Sequence, residues 1–200
     1  MNRGRLNYND CEERILEKEE CKCKPHPNHE TETILKCGTV TGSAPLSCNF
    51  TIADAVGSNG GGWHPTVLAT VALDTSKLID PTVKIDFSSL ISFKTFGDDN
   101  YFLRLVFRLS KACDGSPIPL GTWTFERVHH ENEMGPIQIG CDYVQETTSF
   151  SFSWCECDDC PNCCRYLIEI VDLQCYNIDF ASVCSNSLSA LAVGFKDPHY

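Results

Sequence analysis

Five cysteines lie within ten residues in the segment CECDDCPNCC at 155–164. Thiolates spaced in this way can hold a zinc ion, with Cys155, Cys157, Cys160 and Cys163 as candidate ligands. The alternative is a disulfide cluster, in which these four and Cys164 pair with cysteines on neighbouring strands or chains. The other cysteines are scattered and lack the usual order of zinc ligands. We therefore favour disulfides here and expect no metal and no cofactor.

The cysteine content of the whole chain is unusual. Its 200 residues include 14 cysteines, and reducing compartments rarely keep so many thiols. The composition therefore indicates an oxidising or extracellular setting. Beyond the cluster at 155–164, the further disulfide candidates are Cys48, Cys113, Cys141, Cys175 and Cys184.

Residues 1–33 differ from the remainder of the chain. They are rich in charged residues and poor in apolar ones, so alone they cannot offset their ordering entropy by burial. Three cysteines lie in this stretch: Cys11, Cys21 and Cys23. The spacing Cys21-x-Cys23-x2-His26-x2-His29 is a passable metal pattern, but a solvated linker is the better interpretation. We predict an extended N-terminal connector arm.

Residues 34–200 carry the pattern of a single β-sandwich domain. Apolar residues alternate with polar ones at 83–88, 103–109 and 149–154, which is typical of strands with one buried face. Further strands are predicted at 46–53, 66–74, 122–126, 136–144, 164–173 and 186–195. No helical period persists after residue 33. We predict an all-β fold, a jelly-roll-like β-sandwich.

The sequence contains none of the common catalytic motifs. There is no G-x-S-x-G, H-E-x-x-H or phosphate loop, so we do not expect an enzyme. The net charge of -11 argues against a nucleic-acid partner, because phosphate binding needs clustered Lys and Arg. The longest apolar stretches are too short to span a membrane. No signal peptide is visible at the N-terminus.

Four motifs in order resemble a family of uncharacterised-domain proteins from anaerobic spore-forming bacteria. They are the stretches 34–38 (ILKCG), 71–75 (VALDT), 81–89 (PTVKIDFSS) and 155–166, where Cys155-x-Cys157-x2-Cys160-Pro161-x-Cys163-Cys164-x-Tyr166 stands. The resemblance covers residues 34 to 195 and implies no enzymatic activity.

The plan of the chain is also similar to that of the endospore appendage (Ena) subunits. Those are jelly-roll proteins with a cysteine-bearing N-terminal connector that forms disulfides with neighbouring subunits. The resemblance implies a self-assembling, disulfide-crosslinked helical filament on the spore surface, outside the cell, built without a signal peptide. The candidate intersubunit cysteines are Cys11, Cys21, Cys23 and Cys37. The alternatives are a spore-coat or surface adhesin protein with internal disulfides only, and a zinc-binding module.

Overall fold

The computed structural model describes residues 30–48, 65–95, 100–113, 115–129, 144–157 and 163–196. These ranges form strands and contain no helix, so they hold no helix that could cross a membrane. The strands are β1 (Thr31–Cys37), β2 (Thr39–Val40), β3 (Ala44–Leu46), β4 (Thr66–Asp74), β5 (Leu78–Thr95), β6 (Tyr101–Ala112), β7 (Ile118–His129), β8 (Gln145–Cys157), β9 (Cys163–Tyr176) and β10 (Ile178–Lys196).

The strands form two antiparallel sheets. The first sheet has the order β1-β10-β5-β8, with β3 also paired to β10, and the second has the order β2-β4-β9-β6-β7. If the short β2 and β3 are left out, the eight remaining strands can be numbered 1 to 8 along the chain. The first sheet then has the order 1-8-3-6, and the second sheet has the order 2-7-4-5. That is the strand order of a jelly roll, so the predicted fold class is confirmed.

The core lies between the two sheets and follows from the alternation in the strands. In β6, Leu103, Leu105, Phe107 and Leu109 are fully buried, whereas the residues between them are partly exposed. The ring of Phe107 lies 6.2 Å from that of Phe87 on β5 in the facing sheet. Successive side chains of a strand point to opposite faces, which is why the pattern read from the sequence places the correct residues inside.

A tight turn joins the two sheets at one end of the sandwich. Between β4 and β5, the amide of Leu78 donates to the carbonyl of Thr75 at 2.9 Å. The registers Asp74↔Cys163 and Thr82↔Cys157 place the start of β9 and the end of β8 at this same end. We call it the cysteine end.

The chain passes between the sheets again at Asn177, the single residue between β9 and β10. Its φ is 54°, a left-handed conformation that asparagine adopts more readily than most residues. Its side-chain amide donates to the carbonyl of Asn100 at 2.9 Å. This connection lies at the end opposite the cysteine end.

Several predicted segments fall wholly or partly outside the described residues. They are the arm up to residue 29, the strand at 136–144 and part of the strand at 46–53. The arm and its boundary at residue 33 therefore stay predictions. β1 starts at Thr31, so the last three residues assigned to the arm belong to a strand that pairs with β10.

Candidate functional site

One disulfide joins neighbouring strands at the cysteine end. Cys113 follows β6 and is bonded to Cys164 of β9, with their Cα atoms 4.1 Å apart. The register explains the pairing, because Ala112 lies opposite Arg165 and the next pair in the antiparallel ladder is Cys113 with Cys164. Among the described cysteines of the cluster at 155–164, Cys164 is therefore the one bonded to a cysteine beside a neighbouring strand.

A second disulfide connects the two sheets at the opposite end. Cys48 lies two residues beyond β3, which pairs with β10 in the first sheet. It is bonded to Cys175 of β9 in the second sheet, with 5.7 Å between the Cα atoms. The two bonds together indicate an oxidising environment, since reduced compartments do not maintain such bonds.

Other cysteines lie on the outside of the sandwich. Cys37, Cys155 and Cys163 are exposed and form no disulfide with another described residue, and Cys184 is half-buried. Cys157 is exposed, with its Sγ 3.9 Å from the hydroxyl oxygen of Thr82. Exposed thiols at the surface are available to bond with residues outside the described ranges or with another chain.

Some candidates fall outside the described residues: Cys11, Cys21, Cys23, Cys141 and Cys160. Their predicted roles, and the fourth ligand of the zinc alternative, therefore stay predictions. Within the described ranges, no group of three or more His, Cys, Asp and Glu side chains is placed to hold a metal.

Strands β7 and β8 form the edges of the two sheets on one side of the sandwich, where their inward side chains meet. The ring of Trp123 stacks on that of Phe152 at 3.9 Å. Near the end opposite the cysteine end, Arg127 donates to Glu146 at 3.2 Å. Side chains therefore close this side of the sandwich, while the outer backbone edges of the strands have no described partner.

The edge of β8 lacks several of the residues that usually prevent pairing with another chain. Across its 13 residues, QETTSFSFSWCEC, there is no Pro, Lys or Arg, which often protect edge strands, and its two glutamates, Glu146 and Glu156, form ion pairs with the facing sheet. By contrast, β7 carries Pro119 and Arg127. Cys155 is exposed near the cysteine end of β8. The edge of β8 is thus a template for an added strand.

The outer face of the first sheet is lined by small hydroxyl side chains. The registers place Ser88 between Ser151 and Ser187, and Asp86 between Ser153 and Ser189. These residues line a shallow groove across the three strands. Closer to β1, Leu35 is 64% exposed and lies opposite Leu191, so the same face presents an apolar patch.

Three titratable groups in the described ranges have shifted pKa values. Hydrogen bonds from Ser76 lower the pKa of Asp74 in the β4–β5 turn. A hydrogen bond from Ser153 at 2.6 Å, assisted by Lys84, lowers the pKa of Asp86. Burial raises the pKa of Tyr101, and the nearby charge of Glu146 raises it further. The first two shifts come from local surface contacts, and none of these groups is at a catalytic constellation.

One buried polar cluster was not anticipated from the sequence. Lys111, Glu156 and Tyr166 meet between the sheets, and the side chain of Lys111 is only 7% exposed. The alternation of inward and outward side chains along β6 and β8 does indicate this cluster. Lys111 continues the inward positions of Leu105, Phe107 and Leu109, and Glu156 likewise continues those of Phe150, Phe152 and Trp154.

Comparison with known proteins gives a family but no activity. The family model described as a domain of unknown function, DUF4489, matches residues 31–193, whereas no curated protein matches the chain. The resemblance to an uncharacterised-domain family is confirmed to that extent. An origin in spore formers and the appendage-like plan stay predictions.

Two solved structures are similar over most of the chain. They are structures of infectious bursal disease virus, Gx strain (12% identity, TM-score 0.33) and Gt strain (9% identity, TM-score 0.32). The match covers 89% and 88% of this chain but only 36% and 40% of the viral chains. The chain thus spans well under half the length of each viral protein.

Proposed function

The chain belongs to the family of DUF4489, a domain of unknown function, and we propose that it is a structural subunit of a self-assembling, disulfide-crosslinked extracellular fibre. The observation that carries this proposal is the edge of β8. It is a long strand edge without Pro, Lys or Arg and has an exposed cysteine, Cys155, near its end.

In this proposal, the N-terminal arm of one subunit adds a strand to the β8 edge of the next. Backbone groups on both chains then gain hydrogen bonds, and the alternation of side chains sets the register. The 29 residues before the described part could reach as far as about 95 Å if extended, and a strand as long as β8 needs about 43 Å. The arm is therefore long enough to lie along that edge and return to its own domain.

Disulfides would lock the added strand in place. Cys11, Cys21 and Cys23 are in the arm, and Cys155 lies on the strand they would pair with. Cys37 and Cys163 are exposed at other points of the surface and could bond to further subunits. Because an arm docked onto a different surface is a heterologous contact, repetition produces an open helical filament unless the rotation closes.

The second candidate function is a spore-coat or surface adhesin protein with internal disulfides only. The bonds Cys48–Cys175 and Cys113–Cys164 favour it, because each lies within a single chain. The two candidates differ in one respect that can be measured, namely whether subunits are joined covalently to one another. A zinc-binding module is the third alternative, and it requires Cys160 to complete its ligand set.

The test is electrophoresis of the oxidised full-length protein in denaturing detergent with and without reductant. The proposal predicts a ladder of multimers that collapses to the monomer on reduction. Replacing Cys11, Cys21 and Cys23 together by Ser should remove most of the ladder, leaving only multimers joined through Cys37 or Cys163, and Cys155→Ser should shorten it. Cys184→Ser is the control, because Cys184 is half-buried and away from the β8 edge.

A deletion of residues 1–29 removes the arm without touching β1. This variant should stay folded and monomeric, because β1 and its pairing with β10 are retained. If the full-length protein runs as a monomer in the absence of reductant, the fibre proposal is contradicted and the adhesin alternative is favoured. One zinc ion bound per chain in native material would favour the zinc-binding module.

A further inference from the structure

Lys111, Glu156 and Tyr166 form a cluster that links the two sheets near the cysteine end. Lys111 is on β6 and lies directly opposite Tyr166 on β9, whereas Glu156 is on β8 in the facing sheet. The ammonium nitrogen of Lys111 is 3.0 Å from Oε1 of Glu156, and the hydroxyl of Tyr166 donates to the same oxygen at 2.8 Å.

The surroundings of this ion pair are largely dry. The side chains of Lys111 and Glu156 are 7% and 13% exposed, and Tyr166 is 1% exposed. Two charges removed from water lose much of their solvation, and their attraction does not always compensate for that loss. A reaction that removes both charges would also remove this desolvation cost. The same reaction at the surface would bring no such gain, because water solvates the charges there.

We propose that Lys111 and Glu156 condense into an isopeptide bond that joins β6 to β8. This link is independent of fibre assembly. The bond would add a crosslink to the two disulfides among the described residues, one beside β6 and β9 and one that joins the sheets at the opposite end.

The reaction needs no cofactor or external reagent. One proton passes from the Lys111 ammonium to the carboxylate, leaving an amine and a carboxylic acid. The nitrogen lone pair attacks Cδ of Glu156, the C–N bond forms, and a second proton leaves the nitrogen. The C–O bond to the oxygen held by Tyr166 then breaks, and that oxygen departs with both protons as water. The tyrosine hydroxyl relays a proton and is unchanged at the end.

The position of Tyr166 suits this role. Its hydroxyl donates to Oε1 of Glu156, the oxygen that leaves as water, and a positioned hydroxyl that passes a proton to a leaving group lowers the barrier to its departure. The register of β6 and β9 holds the amine and the hydroxyl side by side, and both contact the same oxygen of the carboxyl group, which keeps the reacting groups close together.

The chain offers a matched control in Lys84 and Asp86. This pair is as close, at 2.9 Å, but its side chains are 46% and 42% exposed. Water solvates both charges there, and no tyrosine hydroxyl is described at the carboxylate, which instead accepts from Ser153. The same chemistry is therefore not expected at this surface pair.

The test is the intact mass of the purified full-length protein after complete reduction and alkylation of its cysteines. The proposal predicts a mass lower than that of the sequence by one water molecule. Trypsin should fail to cleave after Lys111 and should release peptide 109–127 joined to peptide 128–165, while cleavage after Lys84 proceeds. A mass equal to that of the sequence, with cleavage after Lys111, would overturn the proposal.

Variants separate the reaction from the ion pair. Glu156→Gln should lose ammonia in place of water, which changes the mass deficit in a defined way. Lys111→Arg keeps a positive charge but should show no deficit. Tyr166→Phe should give mostly uncrosslinked protein with unchanged near-ultraviolet circular dichroism outside the tyrosine bands. Full crosslinking in Tyr166→Phe would exclude Tyr166 from the reaction, and a deficit in Lys111→Arg would place the crosslink elsewhere.

Discussion

Cys48, beyond a short strand of one sheet, is bonded to Cys175 in the other sheet, so a single covalent bond ties the two layers together at one end of the sandwich. The bond between Cys113 and Cys164 differs, since it connects neighbouring strands of one sheet at the cysteine end. The two disulfides therefore restrain different motions of the fold.

Removing the inter-sheet disulfide should destabilise the domain more than removing the other. Loop closure predicts losses of about 5 kcal/mol for Cys48→Ala with Cys175→Ala and about 4 kcal/mol for Cys113→Ala with Cys164→Ala, because the loops span 127 and 51 residues. Urea unfolding of both double variants measures the difference. Cys184→Ala is the control, and equal stability of all three variants would show that neither bond constrains the unfolded chain.

A methyl group added at Gly38 should disturb the passage from β1 to β2. A Cβ there would lie 2.8 Å from the carbonyl oxygen of Thr70 and 3.0 Å from Cβ of Leu188, whereas nothing lies within 4 Å at Gly42. Gly38→Ala should lower the free energy of unfolding by about 1–3 kcal/mol. Gly42→Ala should be neutral, and thermal unfolding of the pair compares them directly. Equal melting temperatures would contradict the close approach at Gly38.

The hydrogen bond from Ser153 to Asp86 should stabilise the fold only when the carboxyl group is ionised. Because the folded state has the lower pKa, this contribution is complete above the unfolded value of 3.8 and is lost as the pH falls through the folded value. Ser153→Ala should cost at most about 1 kcal/mol at neutral pH, since the site is half exposed.

The difference between wild type and Ser153→Ala should shrink as the solution is acidified below 3.8. Ser151→Ala is the matched control, because Ser151 lies opposite Ser88 and not opposite a carboxylate. Urea unfolding over a series of pH values measures both. A difference that persists in strong acid would mean that the hydroxyl acts through packing and not through the charge of Asp86.

Charges placed on the β8 edge should block assembly, whereas the same charges one strand further in should not. Ser149→Lys with Ser151→Lys puts two lysines on the edge strand, where they disfavour pairing with another chain. Leu90→Lys with Ser88→Lys places them on β5 directly opposite those positions. Non-reducing electrophoresis should show multimers for the β5 variant alone. Loss of multimers in both would indicate that the outer sheet face is the contact.

The alternation of side chains predicted the sandwich but not its covalent links. Leu103 to Leu109 and Phe150 to Trp154 identify inward faces because a strand has a period of two residues. The pairing of Cys113 with Cys164 depends on the register of β6 against β9, and no local pattern reveals a register between strands so far apart in the chain. The burial of Lys111 and Glu156 was not predicted, because charged residues are ordinarily exposed. Both residues nevertheless occupy positions that alternate in phase with the inward-facing residues of their strands.

Whether the N-terminal arm joins subunits into a fibre can be seen directly by electron microscopy of the oxidised full-length protein beside the variant that lacks residues 1–29. We expect helical filaments in the first sample that survive heat and detergent, and isolated particles in the second. Filaments of normal length from the truncated protein would contradict the role of the arm, and an absence of filaments from the full-length protein would contradict the fibre itself.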